Sequence, residues 1–356
     1  MDATYDGDIV RAGRGAREQF YDARGYGHPE DGDVLLDPVE ATHLLFRGDL
    51  EAVVDGRSGG ERLGFRRFLT SAAVSEVDFF VYKDLRDRGF YLSPAREGWV
   101  ADPTGNFVVY PRGSGPWDDE VAYRVRAVSE RAAVPAGDLL ALTTADPTDG
   151  GTGVLAVVDE ESELTYFAVG APTMAGSTHH DIPPVSGELV TDRVLVWEPP
   201  EPLHERAFYG QPLGDDDAVQ LSLVEAAYLA RRGTLSVEGA PDGQGDGAIV
   251  DRGRDVEGDR FDRRLRVYAA LRTAGIVPKT GYKFGADFRT YTAVDTVSDL
   301  GHSGRLVRVL PSNHAFAPRD LALDVRLAHG VRKELVVALT GAEGDIQWLS
   351  VNRLTP

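Results

Sequence analysis

The chain contains no cysteine. Disulfides, thiolate nucleophiles and Cys-ligated zinc are therefore excluded. Lysine is nearly missing as well: Lys83, Lys279, Lys283 and Lys333 are the only four, against 34 arginines. Long apolar runs are absent. No stretch approaches the roughly eighteen residues that a membrane-spanning helix needs, so no membrane partner is expected. The N-terminus, MDATYDGDIV, has neither the basic start nor the apolar core of a secretory leader. The expectation is a soluble cytoplasmic protein.

What is present starts with acid. Formal net charge is -19 over 356 residues, with 42% hydrophobic content. The chain is long enough for two ordinary domains. A surface rich in Asp and Glu and almost purged of Lys suits a cytoplasm at molar salt, where the Debye length falls to about 3 Å and like charges barely repel. The charge is also uneven. Between His302 and Lys333 six basic residues (Arg305, Arg308, Arg319, Arg326, Arg332, Lys333) face only Asp320 and Asp324. A basic island in so acidic a chain suits an anionic ligand.

The sequence repeats itself. Val39-Glu40-Ala41 matches Val224-Glu225-Ala226, and Arg47-Gly48 matches Arg232-Gly233. Tyr26-Gly27-His28-Pro29 matches Tyr209-Gly210-Gln211-Pro212, and VYKDLRDRG from Val81 matches VYAALRTAG from Val267. Four matches in order, at a nearly constant separation, mean two copies of one module. The expected division is a first repeat over 1–170 (subdomains 1–92 and 93–170), a linker over 171–187, and a second repeat over 188–356 (subdomains 188–278 and 279–356). The linker is small, polar and proline-bearing. His179-His180-Asp181 within it has no rigid third ligand and is not read as a metal site. Glu238 to Gly253, rich in Gly and Asp, is expected to be a long loop.

Each repeat reads as mixed α/β, an N-terminal α/β subdomain followed by a C-terminal one around a central mixed sheet. Helical periodicity runs over Val224–Arg232 and Phe261–Ala274. Phe288–Ala293 and Arg305–Pro311 alternate like strands, and Leu335–Leu339 is a fully apolar run typical of a buried strand. DLALDVRLAH is a helix that Gly330 ends, and Gln347–Leu354 closes the chain as a strand.

Three blocks carry the chemistry: GYKFGADFRTY ending at Tyr291, GHSGRLVRVLP around His302, and DLALDVRLAHGVRKELVVAL around Lys333. They resemble the catalytic domain of the archaeal tRNA-intron endonucleases, in the order GxKFGxDFxxY, HSxxLV, and a helix ending VRxAHxVRK before an apolar strand. Gly281, Lys283, Phe284, Gly285, Asp287, Phe288 and Tyr291 match the first. His302, Ser303 and Val307 match the second, and Val325-Arg326, Ala328-His329 and Val331-Arg332-Lys333 the third. With the acidic composition, the resemblance is to a haloarchaeal member built from two fused modules that pairs as a homodimer.

An RNA phosphodiester carries its own nucleophile, the ribose 2′-hydroxyl. Cleavage then needs a base for the 2′ proton, an acid for the leaving 5′ oxygen and a cation for the phosphorane. The resemblance assigns these roles to Tyr291, His302 and Lys333, with no metal and no cofactor. It implies precursor tRNA, folded as a bulge–helix–bulge, as the partner, and a 2′,3′-cyclic phosphate and a 5′-hydroxyl as product ends. It also implies RNA contacts at Arg326, Trp348, Arg332 and Arg353, and dimer assembly through the carboxylates Asp159, Glu160, Glu161 and Glu163.

In the first repeat Tyr110 aligns with Tyr291, but no histidine or lysine stands at the other two positions, near Asp118–Glu120 and Gly151. That repeat is expected to be catalytically silent. Two rivals remain. A metal-dependent nuclease on a related fold would draw on Asp287, Asp320 and Glu334. A non-catalytic RNA-binding or structural subunit would not need His302 or Lys333.

Overall fold

The computed structural model describes residues 2–356 except 58, 72, 119, 145–150, 215–217 and 239–244. Two compact units emerge. The first holds the chain up to Ala171 with Ala315–Ala322 and Val351–Pro356, and the second holds Pro172–His314 with Leu323–Ser350. No helix among the described residues is long and apolar enough to cross a membrane.

In the first unit, β1 (Asp2–Tyr5), β2 (Val10–Ala12), β3 (His28–Glu30), β4 (Asp33–Leu36), β5 (Ala52–Asp55) and β6 (Glu61–Leu63) form one sheet in the order β3-β4-β2-β1-β5-β6. Helices α1 (Pro38–Arg47), α2 (Phe65–Leu69) and α3 (Glu76–Asp87) pack beside it. A mixed sheet follows, from β7 (Leu92–Pro94), β8 (Phe107–Val109), β9 (Tyr123–Ser129), β11 (Thr152–Val158) and β12 (Leu164–Gly170), in the order β12-β11-β9-β8-β7. Helix α4 (Ala136–Thr144) lies against β11, and the short β10 (Val134–Pro135) pairs with Ala315–Phe316.

The second unit repeats this plan. β13 (Val185–Leu189), β14 (Arg193–Trp197), β15 (Gln211–Leu213), β16 (Ala218–Ser222) and β17 (Leu235–Val237) form a sheet in the order β15-β16-β14-β13-β17, with α5 (Leu223–Arg231) after β16. Helices α6 (Gly245–Glu257) and α7 (Asp259–Thr273) pack on α5 and on each other. Its mixed sheet takes β18 (Val277–Thr280), β19 (Phe288–Tyr291), β20 (Arg305–Pro311), β22 (Glu334–Thr340) and β23 (Ile346–Leu354) in the order β18-β19-β20-β22-β23. The strand Ala315–Phe316 is β21, and α8 (Pro318–Gly330) precedes β22. In both mixed sheets one inner pair is parallel, β9 with β11 and β20 with β22, as the intervening α4 and α8 crossovers require.

The repeat is legible at atomic detail. Asp37 and Glu40 close a capping box on α1, and Ser222 and Glu225 close the same box on α5. Each glutamate also accepts from a glycine amide, Gly27 at 2.8 Å and Gly210 at 3.0 Å. Both glycines have positive φ, and a Cβ would come within 2.4 Å of the Leu35 carbonyl in one copy and 2.5 Å of the Gln220 carbonyl in the other. Arg86 stacks on Tyr26 at 3.7 Å and Arg272 on Tyr209 at 3.8 Å. One difference matters. Lys279 donates to Glu225 at 2.8 Å, while the matching place beside Glu40 holds Ser93.

Two stretches differ from the sequence expectation. Gly245–Gly253 is helical rather than loop: Ile249 and Val250 are buried, and Gly253 lies flat under the Phe261 ring, where a Cβ would sit 2.4 Å from it. The rest of that expected loop, 239–244, lies outside the described residues. Within the expected linker, Val185–Gly187 is already strand, paired with Leu235–Val237.

Candidate active site

Register gathers three strand ends at one edge of the second unit's mixed sheet. β19 runs antiparallel to β20, with Thr290 opposite Arg305, and β20 runs parallel to β22, with Arg305 opposite Glu334. Gly304 N donates to Thr290 O at 3.0 Å, and Glu334 N donates to Gly304 O at 3.1 Å. Tyr291 and Lys333 each stand one residue beyond the Thr290–Arg305–Glu334 row and Ser303 stands two, with His302 next to Ser303. The Lys333 ammonium donates to the Ser303 carbonyl at 2.5 Å.

Each side chain is held differently. Tyr291 is buried in a small apolar cluster with Phe208, Val277 and Val294, and the Phe208 ring meets it edge-on at 5.6 Å. Phe208 itself sits in the left-handed region at φ 56, with its carbonyl accepting from Lys279 at 3.2 Å. Such strain in a bulky residue persists only where the surroundings enforce it. His302 is exposed. Lys333 is half-buried, 5.8 Å over the Phe284 ring; burial first, and then the Arg289 charge, push its ammonium below the usual lysine value. The chain reaches Lys333 through the end of α8, where Arg332 has φ 54 and Lys333 N donates to Ala328 O.

Around this edge the basic island is partly spent. Arg305 pairs with Glu334 at 2.7 Å and Arg308 with Asp324. Arg326 and Arg332 are exposed, and neither meets a carboxylate among the described residues. Trp348 is half-buried and packs against the core of the second unit. Arg353 is exposed and groups with the first unit. A cleft of about 400 Å³ is lined by Arg193, Arg264, Lys279 and Arg289 among others. Arg264 and Lys279 are paired there with Glu257 and Glu225, while half-buried Arg289 has no carboxylate partner among the described residues.

Two of the three carboxylates of the rival metal reading are engaged, and the third, Asp320, is exposed on α8. Asp287 accepts from Arg260 at 2.6 Å and from Val309 N at 2.8 Å, and Glu334 is held by Arg305. Among the described residues no three metal-ligating side chains come together. The acidic stretch of the first unit is the turn between β11 and β12. Asp159 accepts from the amides of Glu161 and Glu163 and so shapes its own turn. Glu160 reaches Arg131 at 2.7 Å, and Glu161 and Glu163 are exposed.

The first unit presents the same edge without the same side chains. Phe107 opposes Val125 as Phe288 opposes Val307, and Tyr123 opposes Thr152 as Arg305 opposes Glu334. This register sets Glu120 in place of His302 and Gly151 in place of Lys333; Asp119 and 145–150 lie outside the described residues. Tyr110 donates to Ser93 at 3.0 Å. A Cβ at Gly151 would lie 2.7 Å from the Arg124 guanidinium and 2.8 Å from Val121. Fully buried Arg124, 3.2 Å from Asp102, fills the space a lysine would need.

Sequence reasoning missed Phe208 and Arg289. A signal for Phe208 existed: it precedes Tyr209-Gly210 as Gly25 precedes Tyr26-Gly27, and a phenylalanine standing where the other copy has glycine marks an enforced positive φ. Comparison with known proteins adds the last observation. The description of the tRNA intron endonuclease catalytic C-terminal domain fits residues 261–348, and that of its N-terminal domain fits residues 1–69 and again 185–245. A tRNA-splicing endonuclease of Haloarcula marismortui is 62% identical over 100% of both chains, and one of Natronomonas pharaonis 53% identical over the same full span. One of Methanococcoides burtonii is 35% identical over 98% of this chain and 97% of its own.

Proposed function

The chain belongs to the tRNA intron endonuclease family, and on that footing we propose that it is a tRNA-splicing endonuclease, cutting precursor tRNA in the cytoplasm at bulge–helix–bulge sites. The observation that carries the assignment of residues is the shared edge of β19, β20 and β22, which collects Tyr291, His302 and Lys333 from three separated blocks. Tyr291 takes the 2′ proton, and the 2′ oxygen attacks phosphorus. Lys333 steadies the charged phosphorane; its bond to Ser303 O uses one of three N–H donors and leaves two for phosphate oxygens. Exposed His302 protonates the departing 5′ oxygen, a proton transfer its solvent-facing imidazole can make. The products are a 2′,3′-cyclic phosphate and a 5′-hydroxyl, and no metal takes part.

Arg326 and Arg332, exposed and without carboxylate partners among the described residues, are the first candidates for RNA contact. Unpaired bases stack on planar side chains. Arg326 offers one such face and Trp348 a second, with Arg353 a further basic contact. The working form is a homodimer in which the acidic turn of one chain seats in the cleft around Arg289 of the other.

Single-turnover cleavage of an intron-bearing transcript in EDTA tests the reading. Wild type is expected to cut, while Tyr291→Phe, His302→Ala and Lys333→Ala each lose roughly 10²–10⁴-fold, the range of a proton-transfer or charge-stabilising group. Cutting that disappears in EDTA and returns with magnesium, the RNA fold being intact, would instead establish the metal-dependent rival.

A further inference from the structure

The segment between the repeats is bound too closely to be a tether. Gly176 N donates to Ala274 O at 2.8 Å, Ser177 N to Thr292 O at 2.8 Å, and Thr178 N to Gly275 O at 2.9 Å. Val294 N donates back to the Thr178 hydroxyl at 2.8 Å, and His180 Nε2 lies 3.2 Å from Val294 O. The crossing of Gly176 over Gly275 admits no side chain: a Cβ on Gly176 would fall 2.3 Å from the Gly275 carbonyl and 2.7 Å from that of Thr292. Two of these bonds hold the strap to the turn at Ala274–Gly275, and three reach Thr292 and Val294, which follow Tyr291.

We propose that Thr173–His180 is a positioning strap for the cleavage reaction, fixing the loop that leaves Tyr291 and arrives at His302. The inference rests on the endonuclease reading given above. Val294, the residue the strap grips, packs in the same apolar cluster as Tyr291 and Phe208. Farther along, the loop is pinned again, with Val297 N and Ser298 N donating to Glu205 at 2.8 and 3.0 Å. The strap also reaches the other side of the site. Arg305 donates to Thr173 O at 2.9 Å while its Nε holds Glu334, the neighbour of Lys333, at 2.7 Å. One extended segment thus contacts the supports of both the base and the cation. Reacting groups need alignment well inside an ångström, and a displacement of about 1 Å can cost on the order of 10² in rate.

Thr178 gives a clean test, because valine keeps its shape and removes only the acceptor for Val294 N. Thr178→Val and Thr178→Ser are compared with wild type in the full chain. Three quantities are read: single-turnover rate at saturating intron-bearing transcript, affinity for the same RNA with 2′-deoxyribose at the cleavage sites, and melting temperature. The expected result is a rate about 10- to 100-fold lower for Thr178→Val, with affinity unchanged, melting lowered only by the cost of one orphaned amide so that the chain stays fully folded at the assay temperature, and near-wild-type cutting by Thr178→Ser. A Thr178→Val protein that cuts at the wild-type rate overturns the strap. So does one whose rate falls only with its folded fraction, or a Thr178→Ser that is equally slow. Wild type that leaves the RNA whole removes the activity reading itself, which is a different failure.

Discussion

The same carboxylate meets two environments at Glu40 and Glu225. Burial pushes the Glu40 carboxyl up to about 8, against the pull of the Gly27 and Asp37 amides. Burial acts on Glu225 too, but the Lys279 ammonium at 2.8 Å overcomes it and holds that carboxyl at about 2. The signs of linkage are therefore opposite. The folded chain keeps a proton on Glu40 that the unfolded chain loses above its ordinary 4.5, so this site's contribution falls as pH rises from about 4.5 to about 8. Glu225 contributes fully above 4.5 and loses that contribution as pH falls toward 2. Glu40→Gln, which keeps a residue suited to the capping box, should gain stability relative to wild type between pH 5 and pH 8.5 in denaturant titrations. Lys279→Met should cost about 3–5 kcal/mol by stranding a buried carboxylate, and adding Glu225→Gln should restore most of it. Equal pH profiles for Glu40→Gln and wild type would refute the assignment. The sequence showed both glutamates through the repeated Val-Glu-Ala, and marked Lys333 as a lysine kept in a chain that avoids them. It could not show what Lys279 faces, because that partner lies 54 residues away and only the fold brings it close.

At the scale of elements, the strongly patterned segments were legible. The helix read from DLALDVRLAH is α8, and the apolar run Leu335–Leu339 lies within β22, because periodicity and a buried parallel position both leave marks in sequence. Helix α6 was not, since glycine and aspartate argue for a loop and its outward Val256 breaks the apolar stripe. Packing of Ile249, Val250 and the bare Gly253 face outweighs that propensity. The strap leaves no periodic pattern, for three of its bonds are made by backbone, and Thr178 and His180, which make the others, look like any polar residues in a linker. The α8–β22 junction carries its own prediction. Arg332 occupies a left-handed position where helices usually place glycine. Arg332→Gly should raise stability by on the order of 1 kcal/mol while weakening RNA binding and lowering its salt dependence. Thermal melts and binding titrations at two salt concentrations check both halves. A variant less stable than wild type, with undiminished RNA affinity, would refute both.

For the whole molecule, assembly is the open property that charge governs. An exposed ion pair is worth only about 0–1 kcal/mol, and molar salt reduces it further. The acidic turn can hold two chains together only if its carboxylates enter a partly dry cleft and accept charge-assisted bonds, as the neighbourhood of half-buried Arg289 allows. Asp159 is committed to shaping the turn, so the informative variant keeps it and converts Glu160, Glu161 and Glu163 to Gln. Light scattering at working salt should find a folded monomer with little cleavage. A variant that stays dimeric and cuts normally would reduce the turn to a solvated hairpin.

The buried Arg124 of the first repeat bears on how such a protein can change over generations. A lysine placed at Gly151 would step into a clash, its Cβ 2.7 Å from Arg124 and 2.8 Å from Val121. Removing Arg124 first would open a hole beside Asp102 and take away the cation paired with that carboxylate, leaving it the bonds from Thr104. A histidine at Glu120, gained alone, would have no cation to work with. Fitting a lysine and a histidine into the first repeat would therefore take changes at Gly151, Arg124 and Glu120 together rather than one substitution.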